Sequence, residues 1–371
     1  MKIKNLTLSF ILTTSLLEGN LMALNNVVPS SMAQITTAAQ ITQIWDKTFT
    51  KSDKVEHEKV TFKNHYGISL VGDLYTPKNL QDKAPAIIVS GPFGAVKEQS
   101  SGLHAHELAK RGFITLAFDP SFTGESSGEP RGMASPDINS EDVSAAVDFV
   151  GLLPNVDREK IGVLGICGFS GMSLTAATSD TRVKAVATTA MYDMSSSIGR
   201  GMGDGYTKKE REAVLEYINL QRWEDAKSGT YARNYHEVPV VDGKALLGDK
   251  ILPETLGEDP HPVLAVFFDY YRTKRGYHAR SLNSNSAWLA QMPTAFFQFK
   301  LYDNIKDMNK PVLFVNGENS HSLHFSKRAY EIANEPKELV IVPNAHHVDL
   351  YDNYEKIPFD KFEQFFRENL K

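Results

Sequence analysis

Short apolar runs separated by amphipathic stretches make up most of the chain. Residues 55–80 alternate apolar and polar, the period of a strand with one covered face. The turn Asn64-His65-Tyr66-Gly67 splits them into a predicted hairpin of 60–62 and 68–75. The later runs, 86–90, 113–118, 161–164, 183–189, 311–316 and 338–342, are continuous rather than alternating. Continuous runs of that length suit strands covered on both faces, which pair mostly in parallel. Helical patterns fall between them at 101–111, closed by Gly112, at 140–152, with Glu141 and Asp142 in its first turn, and at 172–177. In 358–370 the phenylalanines Phe359, Phe362, Phe365 and Phe366 share one helical face, which predicts a terminal helix laid on the core. Strands alternating with helices predict an α/β fold, a mostly parallel sheet with helices on both faces.

The alternation stops between residues 191 and 307. That piece is aromatic, charged and helix-rich, with helices predicted at 206–220, 262–271 and 287–292. The expected organisation is a leader at 1–33, the first part of the core at 34–190 opening on an irregular or helical lead-in, a helical cap insertion at 191–307, and the last part of the core at 308–371. No internal repeat is evident.

Composition narrows the function. The net charge of −5 comes without any basic block, which argues against nucleic acid and anionic membrane surfaces as partners. Lys2 and Lys4 precede an apolar run over 6–17 that Glu18 and Asn20 break, and Ser31-Met32-Ala33 has the small-x-small form of a cleavage site. These features predict a signal peptide, a periplasmic or secreted protein, and no stable membrane insertion after cleavage. The single Cys excludes an intramolecular disulfide, and none lies in the leader to carry a lipid. His-Glu-x-x-His, a Walker lysine and Gly-x-Gly-x-x-Gly spacing are all missing, so no metal or cofactor is expected.

The chemistry centres on Lys160-Ile161-Gly162-Val163-Leu164-Gly165-Ile166-Cys167-Gly168-Phe169-Ser170-Gly171. An apolar strand, a glycine-flanked Cys and a helix of small residues follow one another, the grammar of a nucleophile elbow. Two frames compete. With Cys167 as nucleophile, Phe169 stands where a glycine is usual; with Ser170, Met172 does. Cys167 is preferred, because the Ser170 frame runs the strand through two glycines and shortens the helix. A thiol at a helix N-terminus is expected to favour the thiolate. The plainer alternative is a lone Cys acting as a small buried hydrophobe.

A thiol nucleophile needs a base, and His347 lies between the last strand and the terminal helix, where such a base is expected; His346 is the adjacent alternative. The third member should be a carboxylate after strand 311–316. There Gly317-Glu318-Asn319-Ser320 puts Ser320 where an Asp belongs. Glu318 is the nearest acid, and Asp193, after the preceding strand, is the other candidate. Oxyanion donors are expected from the amide of Gly168 and from Phe93 or Gly94, since Pro92 has no N–H. A surface-loop histidine, a solvated loop carboxylate and a simple tight turn are the bland alternatives for these positions.

Gly91-Pro92-Phe93-Gly94-Ala95-Val96-Lys97-Glu98-Gln99, Phe118-Asp119-Pro120, Gly165-Ile166-Cys167-Gly168, Met191-Tyr192-Asp193-Met194 and His347-Val348-Asp349-Leu350-Tyr351-Asp352 resemble the dienelactone hydrolase-like α/β-hydrolases, in the branch related to fungal polyketide-transferase hydrolases. The resemblance runs from about residue 55 to the C-terminus. It implies the α/β-hydrolase fold, Cys167 as nucleophile and His347 as base. The expected activity is hydrolysis of a small-molecule ester, lactone or thioester through an acyl-enzyme. Acyl transfer from a thioester and a ligand-binding homologue with a dead site are the two alternatives.

Overall fold

The computed structural model describes residues 45–371; the predicted leader at 1–33 and the lead-in over 34–44 lie outside the described residues. Eight strands form one sheet: β1 (Val55–Lys63), β2 (Ser69–Pro77), β3 (Ala84–Ser90), β4 (Ile114–Phe118), β5 (Val156–Ile166), β6 (Val183–Thr189), β7 (Val312–Gly317) and β8 (Lys337–Val342). Their spatial order is β1-β2-β4-β3-β5-β6-β7-β8. β2 runs antiparallel to both β1 and β4, and every pair from β4 to β8 is parallel. The hairpin turn forms as read, with Gly67 at φ +80° and the Asn64 amide donating to the Ile68 carbonyl at 3.1 Å.

The continuous runs from 86–90 to 311–316 are buried on both faces, whereas 338–342 forms the edge strand β8 and is half-exposed, with Ile341 open to solvent. On one face Ile87, Val89, Leu164 and Leu313 meet α1 (Ser100–Lys110) and the terminal helix Phe359–Asn369, whose four phenylalanines are all buried. On the other, Ile88, Leu116, Val163 and Phe314 meet α2 (Pro136–Gly151), α3 (Phe169–Ser179) and the helix Leu323–Ile332. This is the α/β-hydrolase fold. Helix α2 begins four residues earlier than its apolar pattern suggested, because Pro136 supplies the first helical position, where a missing N–H costs nothing.

Between β6 and β7 the chain holds the helices Met194–Arg200, Lys208–Ser228 and Pro262–Tyr271. The helix expected over 287–292 is not there. Trp288–Leu289 is a two-residue strand antiparallel to Arg233–Asn234, followed by a 3-10 turn at Met292–Ala295. A run as short as Ala287-Trp288-Leu289-Ala290 does not distinguish strand from helix by periodicity, and the partner 54 residues earlier decides it. Among the described residues no helix is long and apolar enough to cross a membrane, and no cluster of three or more His, Cys, Asp or Glu could hold a metal ion.

Because β3, β5, β6, β7 and β8 are parallel, the loops that follow them leave the same sheet edge. Those loops carry Phe93, Cys167, Tyr192 with Asp193, Glu318 to Ser322, and His347 in turn.

Candidate active site

Cys167 is the bend itself. β5 ends at Ile166, α3 begins at Phe169, and Cys167 sits at φ +54°, a conformation that costs a residue with a Cβ about 1–2 kcal/mol. Its amide donates to the Thr189 carbonyl at 3.0 Å, and its carbonyl accepts from the Ser170 and Tyr192 amides, each at 3.1 Å. Neighbouring glycines allow this packing. A Cβ on Gly168 would lie 2.7 Å from the Phe93 Cβ, and one on Gly165 would lie 2.6 Å from the Ser170 Cα. Phe169, in the place of the usual second glycine, is the first residue of α3 and points into the core. Ser170 is buried inside that helix, with its hydroxyl donated to the Gly165 carbonyl at 3.0 Å. The structure thus places Cys167, not Ser170, at the elbow.

The sulfur lines a cavity of about 520 Å³. Phe93, Met194, Leu252, Leu264, Phe267 and Tyr271 make much of its wall apolar, and Tyr192, His236, Glu237, Asn283 and Tyr351 add polar groups. Burial pushes the thiol up to about 11, against the pull of the Tyr351 hydroxyl and the Gly168 and Phe93 amides, which face it and favour the thiolate. The thiolate expected from the helix N-terminus is therefore not the resting form; desolvation outweighs the donors. The two amides expected as oxyanion donors do flank the sulfur.

The loop carrying Phe93 is held from outside the sheet. Asn283, in the segment between β6 and β7, donates its amide to the Phe93 carbonyl at 2.8 Å, and Ser281 donates to the Gly94 carbonyl at 2.9 Å. Phe93 stacks on Trp288 of the same segment with centroids 4.2 Å apart. Beneath the loop, fully buried Lys97 bonds Glu98 at 2.7 Å, Asp119 at 3.0 Å and Glu125 at 2.5 Å.

His347 is buried, whereas His346 is exposed and uses its amide to bond Asp349. The His347 Nδ1 and the Ser322 hydroxyl lie 2.8 Å apart, with the Ser320 hydroxyl at 3.4 Å. Nε2 lies 2.9 Å from the Tyr351 hydroxyl. Burial and the neighbouring His321 hold the imidazole well below its usual range, so it is neutral at pH 7. No hydrogen bond joins the thiol and the imidazole directly; the Tyr351 hydroxyl that bonds Nε2 also favours the thiolate.

Neither candidate acid reaches this imidazole. Glu318 is exposed, and its carboxylate accepts from the Asn344 amide at 3.0 Å, bracing the turn that leads to His347. Asp193 caps the helix Met194–Arg200, accepting from the Ser195 and Ser196 amides and the Ser195 hydroxyl. Where a carboxylate was expected, two serine hydroxyls stand. The gap at Ser320 was visible in the sequence; the closer Ser322 and the Tyr351 hydroxyl at Nε2 were not. Glu237 and His236 were also missed, because nothing local in Asn234-Tyr235-His236-Glu237 marks them as cavity residues.

The X-Pro dipeptidyl-peptidase (S15 family) model matches residues 66–348, most of the described structure. The chain belongs to that family. This S15-family chain is also 50% identical to an uncharacterized protein of Pseudomonas aeruginosa over 96% of its own length and 94% of the relative's. A crystal structure of a hypothetical protein from the same organism, at 52% identity, superposes with a TM-score of 0.82 over 89% of this chain and 98% of that one. The α/β-hydrolase GrgF from a Penicillium species superposes with a TM-score of 0.69 over 85% of this chain and 99% of that one; at 20% identity it speaks for the fold alone. A shorter match, 33% identical over 36% of this chain and 42% of the relative, is to the thiohydrolase aneE of Aspergillus aculeatus. The comparisons show the S15 family and distant fungal thiohydrolase and polyketide-transferase relatives; they do not reach the narrower dienelactone hydrolase-like branch.

Proposed function

We propose that the protein cleaves carboxylic ester or thioester bonds through a thiol acyl-enzyme on Cys167. The observation that carries this is the strained Cys167, whose sulfur opens on the apolar cavity with the Gly168 and Phe93 amides beside it. Nδ1–H of His347 donates to Ser322, which leaves Nε2 to accept from Tyr351, whose oxygen in turn accepts from the thiol. As sulfur attacks the carbonyl carbon, its proton passes to Tyr351 and the tyrosine proton to Nε2. Thiolate and imidazolium therefore form during attack, not before it. The developing oxyanion takes the two amides. Ser322 and Ser320 orient the ring in place of an acid. The segment 191–307 acts as a cap, walling the cavity and holding the Phe93 loop.

The experiment is turnover of p-nitrophenyl esters, acyl thioesters and an Xaa-Pro p-nitroanilide by the wild type and by Cys167→Ala and Ser170→Ala. Loss of ester or thioester cleavage in Cys167→Ala alone is the expected result. Cleavage retained without the thiol, or of the anilide alone, overturns it.

A second reading, acyl transfer, draws on the apolar wall of the cavity and on a 38% match over 36% of the chain to a fungal polyketide transferase. Added alcohols or amines that divert the product from acid to ester or amide would select it. Export to the periplasm or medium is the location we propose, checked by N-terminal sequencing of the mature protein.

A further inference from the structure

Two ionisable side chains enter the cavity with no part in the scheme above: His236 and Glu237. The Oε1 of Glu237 and the Nδ1 of His236 are enclosed and have no protein partner. An enclosed carboxyl oxygen without a partner is costly to keep, and it sits in the chamber that Cys167 opens on. Tyr192 ties it to the reaction centre. Tyr192 lines the same chamber, its amide donates to the Cys167 carbonyl at 3.1 Å, and its ring stands edge-on to His347 with centroids 5.8 Å apart. Glu237 is close enough to Cys167 for its charge to oppose formation of the thiolate.

A thiolate that expels an alkoxide needs an acid for that alkoxide. The imidazolium is reached only through Tyr351, which stands at the sulfur. An acid on the cavity wall is the other source, and Glu237 is the carboxyl there. We infer that Glu237 is a catalytic acid–base group of this site, and that its substrates are esters of unactivated aliphatic alcohols. The inference rests on Cys167 being the nucleophile.

The steps balance. In acylation the S–C bond forms and the C–O bond breaks; the thiol proton goes to His347 through Tyr351, and the Glu237 proton goes to the departing alkoxide. In deacylation a water attacks the thioester carbon and gives one proton back to Glu237. The S–C bond then breaks, and the sulfur recovers its proton from the imidazolium. Both groups end as they began.

Burial raises the Glu237 carboxyl to about 7, so both protonation states are populated near neutrality, which suits a group that must give and then take a proton. The titratable groups around it are Cys167, Tyr192, Tyr206 and His236, with His261 and Tyr351 further along the cavity wall. His236 is pushed down to about 4 by burial and stays neutral across this range. The tyrosines and the thiol are raised and stay protonated.

The test compares wild type with Glu237→Gln, which keeps the shape and removes the proton. A nitrophenolate leaves without help, so the p-nitrophenyl butyrate burst should stay within about two-fold. Single-turnover cleavage of butyl butyrate should slow about 100-fold, and the pH–rate inflection near 7 should vanish. Glu237→Asp should keep the inflection and part of the rate, which guards against a variant that merely folds poorly. Equal slowing of both esters, no slowing of either, or an aspartate variant indistinguishable from the glutamine one overturns the role of Glu237 alone. Cleavage of either ester that survives Cys167→Ala removes the Cys167 chemistry and this inference together.

Discussion

The Ser322 hydroxyl lies 2.8 Å from Nδ1 of His347, in the position where a hydrolase is expected to place a carboxylate. A hydroxyl orients the ring but adds no negative charge to stabilise an imidazolium. Ser322→Ala should lower kcat about five-fold, the equivalent of one hydrogen bond of about 1 kcal/mol, and leave KM nearly unchanged. Ser322→Asp should raise the imidazole pKa and move the acidic limb of the rate profile upward, because a carboxylate favours the charged ring. Steady-state kinetics across pH 4–9 would read both; an unmoved limb in the aspartate variant would count against contact between residue 322 and the ring.

The Tyr351 hydroxyl bonds Nε2 at 2.9 Å and favours the thiolate. Tyr351→Phe keeps the ring packed against Tyr270, 5.1 Å away by centroids, and removes only the hydroxyl. The kcat should fall about 100-fold with little change in melting temperature. Full activity in the phenylalanine variant would mean that thiol and imidazole meet directly.

The thiol is raised to about 11. At pH 7 its ionised fraction is about 10⁻⁴, so iodoacetamide should label Cys167 slowly and about ten-fold faster with each pH unit up to about 10. Mass spectrometry of the labelled chain gives the rate; a plateau below pH 8 would show a stabilised thiolate instead.

Lys97, Glu98 and Asp119 are fully buried together. Lys97→Met would leave the enclosed Asp119 without its cation, while Glu98 keeps Arg280 at 2.7 Å, and should cost about 3–5 kcal/mol in urea unfolding. Activity should fall more steeply than stability alone explains, because the same cluster supports the loop that presents the Phe93 amide.

His104 is pushed down to about 4 by burial in α1, and His321 likewise to about 4. A histidine whose folded pKa is depressed takes up its proton more readily when unfolded. Stability is therefore intact above about 6.5 and lost as pH falls toward 4. Calorimetry should show that loss, and a shallower one in His104→Gln.

The continuous runs and the elbow were legible because each is a local pattern: Ala185 to Thr189 is an unbroken buried run, and Gly165, Cys167 and Gly168 meet within one bend. His347 was legible for the same reason, as a residue in a loop of known place. Trp288 against Asn234, Ser322 against His347, and Glu237 in the same cavity as Cys167 were not, since each depends on residues brought together from 25 to 70 positions apart. Asp193 misled through a true signal. Its place after a strand is right for an acid, but its carboxylate is occupied at a helix N-terminus.

Asn283 reaches from the segment between β6 and β7 to the Phe93 carbonyl. Exchanging that segment between relatives would therefore transplant part of the machinery along with the pocket. Chimeras made to alter substrate preference should also change intrinsic rate, unless the recipient keeps an amide side chain at position 283.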